Sequence, residues 1–236
     1  MFATGLRQPR GLLITKSGEI FLVEQAAGTV VKLGPDGHVR IVSGGLSYPH
    51  DVEVDSAGNF LVADTGNNRV ALVSQSGIVS TYIGDLDGPV DLAASPGGEL
   101  LVCELSGKRV VAYKTPARSR VLVSGFGPHG LAFLSPDITL ISDTSAGRVV
   151  RLDNQGIVTP FATDIGTPIG VAIGPSGDVY TAERAGGRLL RLKQDGSRIV
   201  LLEGLSSPRD PAFDASGNLY LAETDTGRVL RLTGNF

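Results

Sequence analysis

Hydrophobic positions in this chain come in short bursts separated by polar turns, and the bursts are of two kinds. Asp51-Val52-Glu53-Val54 alternates polar and apolar, whereas Phe60-Leu61-Val62-Ala63 is apolar on both faces. Alternation marks a strand with one covered face, and a short unbroken apolar run marks a strand covered on both. Between them Asp55-Ser56-Ala57-Gly58-Asn59 carries the residues of a tight hairpin turn. A loop, Asp64 to Asn68, then leads to a third strand, Arg69 to Val73. The turn Gln75-Ser76-Gly77 precedes a fourth, Ile78 to Tyr82. The pattern predicts a unit of four antiparallel strands, A to D, with no helical period.

The unit recurs six times. Pro9, Pro49, Pro89, Pro128, Pro168 and Pro208 open the copies. A period near forty residues built from short strands predicts a radial repeat in one domain spanning residues 1–236, an all-β six-bladed propeller of four-stranded blades. Copy 3 is the least regular, with Thr115-Pro116-Ala117 in place of its C–D turn. After the third strand of the last copy, Arg228-Val229-Leu230-Arg231-Leu232, no fourth strand follows. The opening residues Phe2-Ala3-Thr4-Gly5-Leu6 resemble the last strands of other copies. The expectation is therefore a ring closed by the N-terminal strand completing the last blade, and, because both ends fall within a repeat, a domain of a larger chain.

The motif Pro-x-Gly/Asp, then Ser-x-Gly-Asn, an apolar strand ending in an acid, and Gly-Arg-Val resembles the NHL repeat across essentially the whole chain. That resemblance implies the same propeller. It leaves function open, since such propellers serve as sensor domains of bacterial kinases, as protein-interaction modules and as lyases.

Composition narrows the partners. The chain has 236 residues, 32 of them Gly, 19% charged residues and a formal charge of -3. No basic stripe and no apolar run of spanning length is present, so neither nucleic acid nor membrane insertion is expected. The expected partner is a small molecule, peptide or protein met by a monomeric domain. The single Cys103 aligns with Val23, Ala63, Ser142, Ala182 and Ala222 and reads as a core filler.

Up-and-down strand order puts the D–A and B–C loops on one face. Each strand B ends in an acid, namely Glu24, Asp64, Glu104, Asp143, Glu183 and Glu223. Five residues on stands Arg69, Arg109, Arg148, Arg188 or Arg228, with Thr29 in copy 1. A pair repeated in this way ties loops structurally. Glu24, without an Arg, is expected to be free as a ligand contact. The residues after each proline differ between copies and converge on the channel mouth. They are Arg10-Gly11, His50-Asp51, Val90-Asp91, His129-Gly130, Ile169-Gly170 and Arg209-Asp210. Arg10 and Arg209, from blades adjacent in the ring, suit an anion, and Tyr48 is an aromatic beside them. Carboxylates crowded on an axis repel unless neutralised. Asp51, Asp91 and Asp210 are thus candidate metal ligands, and a divalent metal ion in the central channel is the one cofactor suggested.

Pro-His-Asp and Pro-His-Gly also resemble motifs of peptidylglycine amidating lyases and segments of virginiamycin B lyases. That resemblance implies a His base and a divalent ion, with His50 and His129 as the catalytic pair. A third His is missing, and His38 lies in a C–D turn on the opposite face. Two functions follow as expectations: a ligand- or partner-binding module using the mouth, and a metal-assisted lyase or hydrolase at the same place.

Overall fold

In a computed structural model of the protein, residues 1–234 are described; Asn235 and Phe236, at the chain end, lie outside the described residues. The innermost strands run Pro9–Ile14, Pro49–Val54, Pro89–Ala94, Pro128–Ser135, Pro168–Ile173 and Pro208–Phe213. Each begins a sheet whose strands pair antiparallel in chain order, giving five four-stranded blades and a last blade of three. The last blade is completed by the N-terminal segment as expected, but through one bridge between Ala3 and Val229 rather than a regular strand. The Phe2 N–H donates to the Val229 carbonyl at 2.9 Å, and the Val229 N–H donates to the Ala3 carbonyl at 2.9 Å.

The two kinds of hydrophobic burst have distinct places. Every residue of Phe60–Asp64 is buried, because the second strand of a blade is covered by neighbours on both sides. The outer strand Val79–Ile83 exposes its middle. The core is consequently a set of wedges between blades. Phe21, Val23 and Val30 of the first blade pack on Val52, Phe60, Val62 and Ala71 of the second. Ala3, Leu12 and Leu22 meet Tyr220, Ala222 and Val229 across the closure. Each fully buried aliphatic side chain contributes about 1.5–3 kcal/mol, so the wedges supply the cohesion that no blade has alone.

The hairpins hold because their first residue caps them. Asp55 Oδ1 accepts from the Ala57 and Asn59 N–H groups, each at 2.9 Å. Gly58 follows at φ +81°, a conformation that side-chain-bearing residues adopt only with strain. Asp214 does the same for Ser216 and Asn218.

Inside the ring, the innermost strands line the channel. Arg10, His50, Val90, His129, Ile169 and Arg209 follow the prolines at the D–A face, and Gly11, Asp51, Asp91, Gly130, Gly170 and Asp210 come next. A small cavity beyond them is lined by Leu12, Leu13, Val52, Glu53, Leu92, Leu131, Val171 and Pro211 with Asp51, Asp91 and Asp210. A Cβ at Gly11 or Gly170 would collide with Asp51 or Asp210 respectively, so glycine lets these blades meet backbone to backbone. Among the described residues, no helix is long and apolar enough to cross a membrane.

Candidate functional site at the channel mouth

The strand-B acids are structural. Asp64 is fully buried. Its Oδ1 accepts from the Ser47 N–H at 2.6 Å, and its Oδ2 accepts from Arg69 Nε at 2.7 Å and Asn67 Nδ2 at 2.8 Å. Arg109–Glu104, Arg148–Asp143, Arg188–Glu183 and Arg228–Glu223 repeat the pairing. The acid thus joins the B–C loop to the D–A loop of its own blade and fixes the residue after each proline. The expectation that Glu24 is free is corrected. Its Oε1 accepts from the Arg7 N–H at 2.7 Å, and Thr29 Oγ1 takes the missing arginine's place on Oε2 at 2.8 Å.

With the loops so held, the residues after the prolines close over the channel. Arg10 Nη1 donates to His50 Nε2 at 3.0 Å, and Gln25 Nε2 lies 2.9 Å from the same nitrogen. Arg10 Nη1 also lies 3.5 Å from His50 Nδ1, so the guanidinium spans the imidazole edge. The His50 and His129 rings stack at a centroid distance of 6.1 Å and an interplanar angle of 28°. Arg209 is only 3% exposed, and its Nε donates to Thr224 Oγ1 at 3.2 Å. Thr224 in turn donates to the Pro9 carbonyl at 3.1 Å, which ties blade 6 to blade 1. Tyr48 stands on the rim, 64% exposed, with its backbone at φ +49°.

The mouth is electrostatically unusual. Burial and the Arg10 guanidinium lower His50 to about 2, and burial and Arg209 lower His129 to about 3. Both imidazoles are therefore neutral at pH 7. Burial and the Arg209 charge push Arg10 down to about 9, which leaves it cationic. Burial lowers Arg209 too, with Asp210 opposing and Arg184 adding to the shift. Among the described residues neither Arg10 nor Arg209 has a carboxylate ion-pair partner. Arg10 Nε, Arg209 Nη1 and His129 Nδ1 are buried without a hydrogen-bond partner. Buried donors left open on two guanidiniums are costly unless an acceptor completes them.

The aspartates do other work. Asp51 Oδ2 accepts from the Leu92 N–H at 2.9 Å, Asp91 Oδ2 from the Leu131 N–H at 2.9 Å and Asp210 Oδ2 from the Gly11 N–H at 3.0 Å. Each thereby ties its innermost strand to that of the next blade. Burial raises all three above the usual carboxylate range, most strongly Asp51 and Asp91, where the neighbouring aspartates add to it. They border a cavity of about 120 Å³ inside the channel. Among the described residues no three His, Cys, Asp or Glu side chains converge as a metal-binding group. As placed, the aspartates serve the ring and do not form a donor set for a divalent ion.

The structure thus brings together Arg10, His50, His129 and Arg209, sets Tyr48 beside them, and sends Glu24 and the aspartates elsewhere. Sequence reasoning missed Gln25, Arg184 and Thr224. All three follow a strand-B acid, at a position that reads Gln25, Thr65, Leu105, Thr144, Arg184 and Thr224 through the copies. That variation was the available signal. Cys103 is fully buried with its thiol raised by burial, as a core filler should be.

Comparison with known proteins places the architecture. The NHL repeat profile matches residues 46–71, the second blade's D–A loop through the start of its third strand. No curated protein matches the chain in sequence. Among solved structures, virginiamycin B lyase from Staphylococcus aureus is similar at 17% identity and a TM-score of 0.74, over 97% of this chain and 82% of that one. A gluconolactonase from Xanthomonas campestris is similar at 14% identity and a TM-score of 0.85, over 94% and 85%. A putative gluconolactonase is similar at 16% identity and a TM-score of 0.82, over 99% and 93%. At such identities the likeness is one of fold.

Proposed function

We propose that this propeller binds a small anionic ligand at the channel mouth, with Arg10 and Arg209 as its anchors and Tyr48 on the approach. The observation that carries the reading is the pair of buried guanidiniums without carboxylate partners, each with an open donor. An anion there satisfies Arg10 Nε and Arg209 Nη1 and offsets their mutual repulsion. His129 Nδ1, buried without a partner beside them, is open to a second polar group of the ligand. Arg184, on the exposed side, adds a third positive charge that acts on Arg10, Arg209 and His129. It draws anions toward the mouth.

The test is calorimetric titration with acetate, phosphate and citrate at low salt, for the wild type and Arg209→Gln. A charge-assisted hydrogen bond contributes about 1.5–3 kcal/mol, so the variant should bind at least about tenfold more weakly. Equal affinity in the two proteins, or no binding of any of the three anions, removes the reading.

A second reading, a lyase or hydrolase at the same mouth, is favoured by the stacked neutral pair His50 and His129 and by the activities named for the structural neighbours. A neutral imidazole is the form a general base needs, and an anionic substrate between the arginines would raise its basicity. Since the aspartates do not form a metal-binding set, no metal step is included. Turnover of quinupristin or of gluconolactone that disappears in His129→Ala would establish this reading over simple binding.

A further inference from the structure

The mouth is not the roomiest part of the molecule. On the opposite face, among the A–B turns, the channel widens into a funnel of about 1010 Å³. Its cause lies in the repeat. The sixth residues of the innermost strands are large in most blades, as in Ile14, Val54, Phe133, Ile173 and Phe213, but blade 3 carries Ala94, which is exposed. The small side chain leaves a space off the axis between blades 1 and 4. Its walls are apolar and partly aromatic. Phe21 and Phe60 pack at a centroid distance of 4.7 Å on one side, and Phe133 lines the other.

The throat of the funnel holds an acid at the fifth position of an innermost strand. Four blades have Ala there and blade 1 has Leu13, whereas blade 2 has Glu53. Glu53 borders both the funnel and the small aspartate-lined cavity above it. Its Oε1 accepts from the N–H of Val54, its own chain neighbour, at 2.9 Å. Among the described residues it has no ion-pair partner. Burial raises it above the usual carboxylate range. The carboxylate also accepts from the backbone of Ala94 on the next blade, and it stands where four other blades carry only a methyl group. The other charged groups of the lining are Glu19, Asp55 and Lys16 at the rim. Glu19 is already paired with Lys32, and Asp55 caps its hairpin. The lining therefore offers aromatic and aliphatic walls, an excess of negative charge and one deep carboxylate without a cation.

We propose that this funnel is a second ligand site and that it takes an organic cation, an ammonium carried on an apolar body, with the charge at Glu53 and the body between Phe60 and Phe133. The volume suits a small molecule, since ligand pockets span about 300–1000 Å³. Ring faces beside the path attract a cation as well. The cation offsets the desolvation of Glu53 and of the aspartates beyond it, a return that a neutral ligand cannot give.

The probe is phenethylamine, cationic at pH 7, compared with 2-phenylethanol, its neutral counterpart of the same size. Both are titrated into the folded protein and followed by two-dimensional NMR. Saturable shifts with the amine, centred on residues 53–58 and 94–96, are expected. Glu53→Gln should weaken amine binding by about tenfold or more and leave the alcohol unchanged. Ala94→Phe, which fills the funnel from its exposed side and leaves the charge in place, should abolish both. Arg209→Gln, at the far end of the channel, should alter neither, so that failure of the anion site and failure of this one are read separately. The proposal is overturned if the amine gives no saturable shifts, if shifts centre on the mouth, or if amine and alcohol bind equally and Glu53→Gln changes nothing.

Discussion

Asp64→Ala is the sharpest test of how the blades hold their loops. The substitution removes three hydrogen-bond acceptor contacts at a fully buried carboxylate, to the Ser47 N–H, Arg69 Nε and Asn67 Nδ2. Hydrogen bonds to charged groups contribute about 1.5–3 kcal/mol each, so simple addition gives about 4.5–9 kcal/mol. The sum overshoots, because two of the partners can turn outward. Arg69 is already 21% exposed and Asn67 is exposed, so both recover hydration once released. The Ser47 N–H has no such freedom. The net loss should be about 3 kcal/mol, within the range for breaking one side of a buried pair. For a domain of this size that corresponds to a fall in Tm of about 6–12 °C. The control is Glu99→Ala, which breaks the ion pair with Arg120, a side chain 59% exposed. That pair contributes less than about 1 kcal/mol, or a shift under about 4 °C. Urea unfolding of both variants, with the midpoint compared at unchanged slope, measures the difference. Equal losses in the two variants would refute the claim that the strand-B acid works through burial. Because Asp64 fixes the loop that carries His50, its variant should also bind anions less well.

Two further outcomes follow from the buried ionisable groups. Asp91 has its pKa raised by burial and by Asp51 and Asp210. Its contribution to stability is complete below the unfolded carboxylate value of about 4 and is lost as pH rises toward the folded one. Asp91→Asn keeps an acceptor for the Leu131 N–H without that loss, so its Tm relative to wild type should climb with pH above about 4, and a difference independent of pH would contradict the assignment. Cys103, buried and with its thiol raised, should react with a thiol reagent only after denaturant is added. Stoichiometric labelling of the native protein would place it nearer the surface than described.

Much of the architecture was legible in the chain because a propeller repeats its reasons. The proline, the hairpin glycine, the strand-B acid and the arginine five residues on each recur at one spacing, and errors in any copy are corrected by the others. The ring position of Arg10, His50, His129 and Arg209 was legible for the same reason. What escaped depends on contacts between blades, which no single copy encodes. Gln25 meets His50, 25 residues further on, because the B–C loop of blade 1 lies against the start of blade 2. The aspartates read as repelling charges awaiting a cation, yet each finds a backbone N–H on the next blade. Two of those donors, Gly11 and Leu131, lie at or beside the register shifts between Arg10 and Leu12 and between Pro128 and Gly130. Glu24 reads as unpaired only if arginine is the sole acceptable partner, and a threonine hydroxyl proves sufficient. Glu53 reads only as a polar member of the alternating run Asp51 to Val54, because its place at the throat depends on blades 1, 3 and 4.

The bridge between Ala3 and Val229 sets a timetable for folding. Every other blade draws its strands from one stretch of about forty residues, so it can pair locally while the chain is still emerging. The last blade is different, since its outer edge is supplied by residues that precede every other blade and its remaining strands by residues that follow them. Until the two meet, Leu22 and Val31 of the first blade and Tyr220 of the last lack each other's cover, and the ring is an open arc with two sticky edges. Lengthening the loop to be closed is cheap, because the entropic cost rises only logarithmically; the hazard is waiting. An arc held open by a delayed or displaced segment around Ala3 would present those edges to a second arc, and the fastest route to satisfy them is then exchange between molecules, with this segment of each molecule completing the other's last blade.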